Sequence, residues 1–581
     1  MPIEEQRLAN IAENERLLKE LGIASGGSSV LGTLPQKRSS SDAARKSRKR
    51  VQAPAKPTRV QPQRSSARLQ GAKPEDTGAE SFATQAAAER EREQVQRQAR
   101  HEELDLKQLT GDSLDEESMK RLRSTLDLDD AKVKQEEDMQ PPTELASMLQ
   151  SLQLQSQNRV AQKRIASMVY HPALEKDLVF TGDMSGVVGA WDATAANPSE
   201  KDDEQDEDNE YDLPEGSSFT LQVHARSPVG CLRIDPQNHD RIYSSSYDAS
   251  IRVFSLSSCV STEVWAGSPD IQFSEFDIFA PTTQASVATS TPEPQLDERS
   301  LWIADNRGGL MHLDIRAKQP KARRWRVSDK KVCFCLLSQI GAMSLNSTAP
   351  HCIATASNDR TMRLFDVRML KTIPESDETS NRPSSEEVDE MHALYQQAEL
   401  GSIEKKMACT SIDFSPDGHH LAGVCYDDTL SVWDLEPSSL SRQPKSIAKE
   451  TKDKRSSASH HDHTHKKNTH KAYDTTESQV DNLLDSPTTI RHNNQTGKWV
   501  TLFRACWHRN AQLEPHFSIG SMTRHVEIFG ASGKLLASLY DPDKITAIPA
   551  VIAMHPISAG RIATGNGSGR CALWAPPSVT H

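Results

Sequence analysis

The chain has 581 residues, of which 35% are hydrophobic and 26% are charged, and its formal net charge is -12. This length allows one large domain with tails, or several domains, and the low apolar fraction indicates that part of the chain builds no packed core. No apolar run approaches the ~20 residues of a membrane span, and the nine cysteines lack the paired spacing of a zinc site. We therefore expect a soluble intracellular protein, with no membrane contact, no structural metal and no cofactor.

The first 35 residues are predicted to contain an amphipathic helix. Within EEQRLANIAENERLLKELGI (4–23), the apolar residues Leu8, Ile11, Leu18 and Leu21 lie near one face at helical spacing, and a glycine follows the last of them. We expect this helix to dock on the rest of the chain or on a partner.

Residues 36–145 are predicted to be a disordered tail, basic at first and of mixed charge afterwards. RKSRKR (45–50) has the composition of a nuclear import signal, and PTRVQPQRSSARLQG (57–71) adds spaced arginines that can follow phosphates or lie in a minor groove. The candidate DNA-binding residues of this tail are Arg45, Lys46, Arg48, Lys49, Arg50, Arg64 and Arg68. The alternative is that the basic segment serves only as an import signal.

Seven similar units follow the tail, and a fixed repeat strongly constrains the fold. In CTSIDFSPDGHHLAGVCYDDTLSVWDLE (409–436), an apolar strand leads through a Ser-Pro turn to a second strand, and an Asp turn leads to a third strand ending on Trp433-Asp434. The same order recurs in CIATASNDRTMRLFDVR (352–368). The units lie at 166–193, 230–256, 300–318, 352–368, 409–436, 502–530 and 551–576.

These units resemble the blades of a WD40 β-propeller. One small sheet cannot bury both of its faces, whereas seven sheets around an axis cover one another and protect their edges. We predict an all-β fold in which residues 146–576 form a seven-bladed WD40 propeller, with its last outer strand supplied by residues just before 164. Polar insertions are predicted between strands at 196–215, 281–298, 374–404 and 437–495, where extra length costs little free energy.

Two of these insertions contain biased runs. EKDDEQDEDNE (200–210) carries eight acidic residues, which is typical of a solvated loop, although a basic partner such as a histone is an alternative. HHDHTHKKNTH (460–470) holds five histidines in a polar setting. Because a metal site needs ligands held in a fixed geometry, we do not expect a metal there.

Several stretches resemble, more specifically, the fungal family of WD-repeat DNA damage-binding proteins. They are RLANIAENERLLKELGI (7–23), RSSARLQG (64–71), KWVTLFRACWHRN (498–510), HFSIGSMTRHVEIF (516–529) and ITAIPAVIAMHP (545–556). The resemblance covers residues 1–576 outside the long insertions. This family is related to the small, DNA-contacting subunit of the UV-damage DNA-binding complex, which the segment 328–368 resembles most.

The resemblance implies a nuclear protein that binds double- or single-stranded DNA, prefers UV-damaged DNA and acts in DNA metabolism, including repair in chromatin. Lys330 and Lys331 match the lysine cluster of the related subunit that faces DNA, and they precede the apolar run VCFCLL. The nearby Arg323, Arg324 and Arg326 are expected to extend this basic patch on the propeller rim. Such charges would neutralise phosphates without reading bases, unless they are ordinary solvated charges.

Two blade ends carry the pattern Asp-x-Arg, with Arg316 and Arg368 as the arginines. In WD proteins that resemble ubiquitin-ligase receptors, this arginine contacts the large adaptor subunit of the damage-binding complex. An arginine offers fixed, bidentate recognition of carboxylates. The alternative function is therefore a substrate receptor or chromatin scaffold for a cullin-type ubiquitin ligase. A purely structural role at the blade end is the other interpretation of these arginines.

The sequence offers no catalytic constellation. It contains no glycine-rich phosphate loop before a helix, no nucleophile elbow and no paired metal-ligand motif. We therefore expect a binding protein and not an enzyme, since a hydrolase built on a propeller would need an acid–base or nucleophile set.

Overall fold

The structure is a computed structural model. It describes residues 103–111, 115–128, 144–195, 213–268, 271–278, 300–315, 321–328, 339–371, 394–440 and 482–577. These residues all belong to the second of two compact units, Ala83–His581. The predicted N-terminal helix, the basic segment with its seven candidate DNA-binding residues, and the histidine run lie outside the described residues, so these predictions stay predictions.

The described strands, β1 to β28, form seven four-stranded antiparallel sheets. Blade 1 contains β2 (Ile165–Tyr170), β3 (Leu178–Asp183), β4 (Val187–Asp192) and β5 (Ser217–Gln222). Blade 2 contains β6 (Val229–Ile234), β7 (Arg241–Ser246), β8 (Ser250–Ser255) and β9 (Val260–Ala266). Blade 3 contains β10 (Phe273–Ile278), β11 (Ser300–Asp305), β12 (Gly309–Asp314) and β13 (Ala322–Arg326). Blade 4 contains β14 (Ile340–Leu345), β15 (Cys352–Ser357), β16 (Thr361–Asp366) and β17 (Glu399–Glu404).

The remaining blades follow the same order from inner to outer strand. Blade 5 contains β18 (Cys409–Phe414), β19 (His420–Cys425), β20 (Thr429–Asp434) and β21 (Thr488–Arg491). Blade 6 contains β22 (Cys506–Trp507), β23 (His516–Gly520), β24 (Val526–Gly530) and β25 (Leu535–Leu539). Blade 7 contains β26 (Pro549–Met554), β27 (Ile562–Asn566), β28 (Arg570–Ala575) and β1 (Gln153–Arg159). The seven-bladed propeller predicted from the repeats is therefore confirmed.

The ring closes between the two ends of the propeller segment. β1 pairs antiparallel with β28, which places Leu154 opposite Trp574 and Arg159 opposite Arg570. The first inner strand of the ring, β2, contacts β26 of blade 7 as well as β6 of blade 2. The prediction that residues just before 164 complete the last blade is confirmed by this pairing.

The burial of the strands explains why the repeats contain so many small residues. Every residue of β3, β11 and β15 is buried, because these second strands lie between two neighbouring blades. On β15, Ala354 and Ala356 let the adjacent blade approach closely, as the sequence predicts. Phe365, which stands where other units have tryptophan, is fully buried in the same way.

Side chains at the blade turns serve structural hydrogen bonds. In blade 2, His224 Nδ1 lies 3.1 Å from Asp248 Oδ2, and its Nε2 lies 2.8 Å from Ser244 Oγ. Although burial alone would raise the pKa of the Asp248 carboxyl, the neighbouring His224 holds that pKa well below its ordinary value. This network ties the connection between blades 1 and 2 to the turn inside blade 2.

The structure corrects one part of the predicted disordered tail. Helices α1 (Leu106–Thr110) and α2 (Glu116–Leu126) bury leucines in the core shared by blades 1 and 2, and Leu104 bridges to Ser261 on β9. Lys176 of blade 1 stabilises α2, since its Nζ donates hydrogen bonds to carbonyl oxygens at the C-terminal end of this helix. A third helix, α3 (Leu145–Gln150), packs on β25. No helix in the described part of the chain is long and apolar enough to cross a membrane.

Two predicted insertions also end earlier than the sequence suggests. The outer strand β17 occupies the last residues of 374–404, and β21 lies inside 437–495. Two short helices, α4 (Val367–Leu370) and α5 (Pro437–Leu440), follow the third strands of blades 4 and 5. Outer strands have one unpaired edge and one face in contact with water. The residues of β21 are accordingly polar and mostly exposed, so their sequence cannot be told apart from that of a loop.

Candidate nucleic-acid interface

The connections of the propeller alternate between two ends, because neighbouring strands in each blade are antiparallel. One end carries the connections between successive blades and the turns between second and third strands, and we call it the upper face. The other end carries the turns that follow the first and third strands, and we call it the lower face. The positions of charged residues can therefore be assigned to a face from the strand order.

The upper face is rich in basic side chains. Those in its described connections are Lys163, Arg164, Arg226, Arg307, Arg360, Lys405, Lys406, Lys498 and Arg524, most of them exposed. Several acidic groups there accept hydrogen bonds from neighbouring residues, and the exposed Glu404 pairs with Arg360 at 3.4 Å. Asp428 accepts hydrogen bonds from the Asn494 backbone N–H (3.1 Å) and from Gln495 Nε2 (2.9 Å). Exposed cations spread over one face form the electrostatic footprint expected for phosphates.

The predicted lysine pair of the rim, Lys330 and Lys331, lies outside the described residues. The strands on either side of it are described, since β13 ends and β14 begins at the upper face. The role of the pair in DNA contact stays a prediction.

Arg324 is not available to the predicted rim patch. It is 7% exposed, and its Nε donates to Asp305 Oδ2 at 2.8 Å. Asp305 is fully buried, and its Oδ1 accepts from the backbone N–H groups of Arg307 and Gly309. A Cβ on Gly309 would stand 2.2 Å from Asp305 Oδ2, so the pair also needs the glycine. The Arg324 guanidinium neutralises a buried carboxylate and cannot at the same time contact DNA.

The two other arginines of the predicted patch lie on the same outer strand, β13. Arg323 is exposed and pairs across the strand ladder with His312, near the lower end of the blade. Arg326 is half-buried and pairs with Gly309, near the upper end. The three arginines therefore do not form one exposed patch, because Arg323 points to the opposite side of β13 from Arg324 and Arg326, and Arg324 is bound to Asp305.

The connection between β21 and β22, residues 492–505, holds an exposed tryptophan on the upper face. Trp499 is 78% exposed, and the Lys498 ammonium lies 5.2 Å from the centre of its ring. In the same connection Leu502 is 41% exposed, and in the preceding connection between blades Met407 is 46% exposed. These three side chains are not among the residues predicted from the sequence, because the sequence does not show whether a single apolar residue is buried or exposed.

The central channel is lined by ion pairs that cross between blades. Glu275 on β10 lies 3.1 Å from Arg233 of blade 2 and 2.8 Å from Arg504 of the 492–505 connection. Arg509 also binds Asp413 of blade 5, with 3.0 Å between Nη2 and Oδ1. These three arginines are each paired with a carboxylate, so their charges are compensated locally.

A family model described as WD domain, G-beta repeat matches residues 216–255 and 399–434. Each match begins in the outer strand of one blade and continues through three strands of the next, which is the same offset that lets β1 close the ring. DNA damage-binding protein CMR1 of Mycosarcoma maydis is 41% identical, with 99% of each chain covered. Proteins of the same name from Aspergillus terreus and Emericella nidulans are 30% and 29% identical, with 98% of each chain covered.

The chain belongs to the fungal DNA damage-binding protein CMR1 family. In this member of the CMR1 family, the Asp-x-Arg arginine of blade 4 is already engaged. Arg368 Nη2 lies 2.8 Å from Asp366 Oδ2 and its Nε lies 3.1 Å from Asp366 Oδ1, at the lower face. Arg316 lies outside the described residues. Adaptor binding by either arginine stays a prediction, and the pairing with Asp366 agrees with a structural role for Arg368.

Three buried histidines begin lower-face turns of blades 1, 6 and 7 in this CMR1-family chain. His171 Nδ1 accepts from the Ala173 backbone N–H, His508 Nδ1 from that of Asn510, and His555 Nδ1 from that of Ser558. Burial lowers the pKa of His171 and His508 to about 3 and that of His555 to about 4. These side chains are therefore neutral turn supports at physiological pH.

Proposed function

We propose that this protein is a nuclear, non-enzymatic DNA-binding protein that holds DNA on the upper face of its propeller. The proposal includes a preference for UV-damaged DNA and a role in nuclear DNA metabolism. The names of its relatives support a DNA damage-related role. The import-type sequence at 45–50 supports a nuclear location.

The observation that carries the proposal is the distribution of charge. The whole chain is acidic, yet exposed cations gather in the upper-face connections of several blades. Charges farther away than the screening length of ~8 Å at physiological salt contribute little at the contact. A protein that neutralises phosphates gains affinity by releasing the counterions condensed on DNA, and this gain is independent of base sequence. The basic segment at 45–71 would add an electrostatic anchor of the same kind.

Reversing three upper-face charges is expected to weaken DNA binding and reduce its salt dependence. The variant carries Lys406→Glu, Lys498→Glu and Arg524→Glu, three exposed positions in three different connections. Each phosphate contact contributes about 0.9 to the slope of log affinity against log salt, so the slope should fall by about 3. The measurement is the affinity for a duplex by fluorescence anisotropy over a range of salt concentrations.

A control of equal charge separates a local contact from the net charge of the protein. Lys120→Glu, Lys321→Glu and Lys534→Glu change exposed lysines on α2 and on the lower face. This variant should keep the salt slope of the unchanged chain. If the two triple variants lose affinity and slope equally, the upper face is not the contact surface.

A lesion preference is expected to depend on Lys330 and Lys331. Replacing both with glutamate should bring the affinity for an irradiated duplex down to that for the intact duplex, because the pair is proposed to face the distorted site. Deleting residues 1–75 should instead lower both affinities and the salt slope while their ratio stays the same. Equal binding of irradiated and intact duplex by the unchanged chain would contradict the UV preference without touching general DNA binding.

A further inference from the structure

The most exposed large apolar side chain in the described residues is Trp499, and it stands on the basic upper face. An isolated exposed apolar residue is common. An indole that is 78% exposed, however, forgoes the large favourable free energy that burying it in the core would provide. Leu502, three residues later, and Met407, in the neighbouring connection, are exposed on the same face. Exposed apolar side chains on a face that also carries exposed cations suit a ligand with both apolar and anionic parts.

The segment that carries Trp499 is fixed to blade 5 on one side. Asn494 Nδ2 donates to the carbonyl oxygens of Cys425 and Thr429, at 2.9 and 3.1 Å, and the hydroxyls of Thr496 and Tyr426 lie 2.9 Å apart. The segment is thus anchored to the turn inside blade 5 before the tryptophan is reached.

The other side of the segment is fixed to the start of blade 1. Arg164 Nη1 donates to the Lys498 carbonyl oxygen at 2.8 Å, and Thr501 Oγ1 donates to the Ile165 carbonyl oxygen. Bonds on both sides of Trp499 hold its backbone in place on the upper face. A segment whose backbone is already fixed loses less conformational entropy when a ligand binds to it.

The chemistry around the ring points to a nucleobase. Lys498 lies over the indole at 5.2 Å, a cation–π arrangement that leaves most of the ring accessible, and its ammonium is also placed to meet a phosphate. Bases stack on aromatic side chains of nucleic-acid-binding proteins regardless of their identity, whereas bases inside an intact duplex are already stacked on one another. A peptide with apolar side chains would not use the surrounding cations.

We propose that Trp499 is a stacking platform for an unpaired base of DNA held on the upper face. This inference rests on the proposed DNA-binding function and adds to it a preference for single-stranded or locally unpaired DNA. Lys498 and the neighbouring upper-face cations bind the phosphate backbone of the DNA, and the indole stacks on a base that is not paired.

The test compares three DNA probes of the same sequence: a paired duplex, a duplex with a small bubble of mismatched bases, and a single strand. The full chain, Trp499→Ala, Trp499→Phe and the control Leu535→Ala, which truncates an apolar residue that is 48% exposed on an outer strand, are titrated with each. Trp499→Ala should weaken binding of the bubble and the single strand about 5- to 150-fold, the loss expected for one base–aromatic stack. Affinity for the paired duplex and all salt slopes should stay the same, and Trp499→Phe should retain most of the binding.

The outcomes separate this inference from the function on which it rests. If Trp499→Ala binds the bubble and the single strand as tightly as the full chain does, the stacking role is overturned while DNA binding stands. Equal losses on the paired duplex and the bubble also overturn it, because the contact is then not with an unpaired base. If the full chain binds none of the probes even at low salt, both the stacking role and the proposed function are overturned.

Discussion

Acidification from about pH 7.5 to about pH 5 is expected to remove roughly 6 kcal/mol from the free energy of unfolding, through His171, His508 and His555. Their pKa values are lowered by burial to about 3, 3 and 4, from the ordinary value of 6.5. Below pH 6.5 the unfolded chain binds protons at these positions and the folded chain does not. Stability is therefore fully present above pH 6.5 and is lost as the pH falls towards 4, by about 2 kcal/mol per histidine at pH 5.

The geometry explains why protonation is resisted. Each histidine uses Nδ1 as an acceptor for a backbone N–H of its turn, and His555 Nε2 lies 3.2 Å from the Ala173 carbonyl oxygen as the second partner of its ring. A proton on Nδ1 would break the turn bond and place a charge where water cannot reach it. The lower-face turns of blades 1, 6 and 7 should therefore loosen first in acid.

Urea denaturation midpoints at several pH values measure this effect. His555→Asn keeps an acceptor for the backbone N–H groups of Ile557 and Ser558 but cannot titrate between pH 7.5 and 5. This variant should be somewhat less stable at pH 7.5, and it should lose about a third less stability on acidification. A variant that loses as much stability in acid as the unchanged chain would contradict the assignment of the acid effect to these histidines.

Replacing Arg324 with methionine is expected to cost about 3–5 kcal/mol of stability, the effect of leaving a buried carboxylate without its partner. Asp305 is fully buried and lies 2.8 Å from Arg324 Nε. Methionine roughly preserves the volume of the side chain, so the loss would arise from the charge more than from a cavity. Arg323→Met, one residue earlier at an exposed position, should change stability by less than about 1 kcal/mol, because exposed polar contacts contribute little.

A double variant distinguishes the ion pair from general damage to β13. Asp305→Asn keeps an acceptor for the backbone N–H groups of Arg307 and Gly309 and removes the charge that Arg324 neutralises. The double variant Asp305→Asn/Arg324→Met should therefore unfold at a higher urea concentration than Arg324→Met alone. If Arg323→Met and Arg324→Met shift the midpoint equally, the buried pair does not contribute as described.

The sequence predicts the blades because each one is a local repeat of alternating residues and Asp turns, as 409–436 shows. It also predicts that residues just before 164 complete blade 7, and β1 does pair with β28. It fails at α1 and α2, since their few leucines are spaced among charged residues and become apolar partners only beside blades 1 and 2. Because side chains alternate along β13, Arg323 and Arg324 are expected on opposite sides of the strand. Only the structure shows that Arg324 is paired there with the buried Asp305.

Trp499 illustrates the limit for the candidate site. Its sequence context, KWVTLF, is compatible with a buried strand, and nothing in it shows that bonds from Arg164 and Thr501 fix the backbone on either side of an exposed ring. The face to which a charge belongs likewise depends on the order of strands in the ring. Basic residues that are hundreds of positions apart in sequence, such as Lys163 and Arg524, share the upper face only because the propeller closes.

The most direct test of DNA binding by the upper face is amide hydrogen exchange of the full chain with and without a DNA duplex. We predict slower exchange on DNA addition in the upper-face connections 160–164, 223–228, 405–408, 492–505 and 521–525. Exchange should be unchanged in the lower-face turns 171–177, 508–515 and 555–561. Protection confined to the lower-face turns, or the absence of any protection in the propeller under conditions where DNA is bound, would contradict the account.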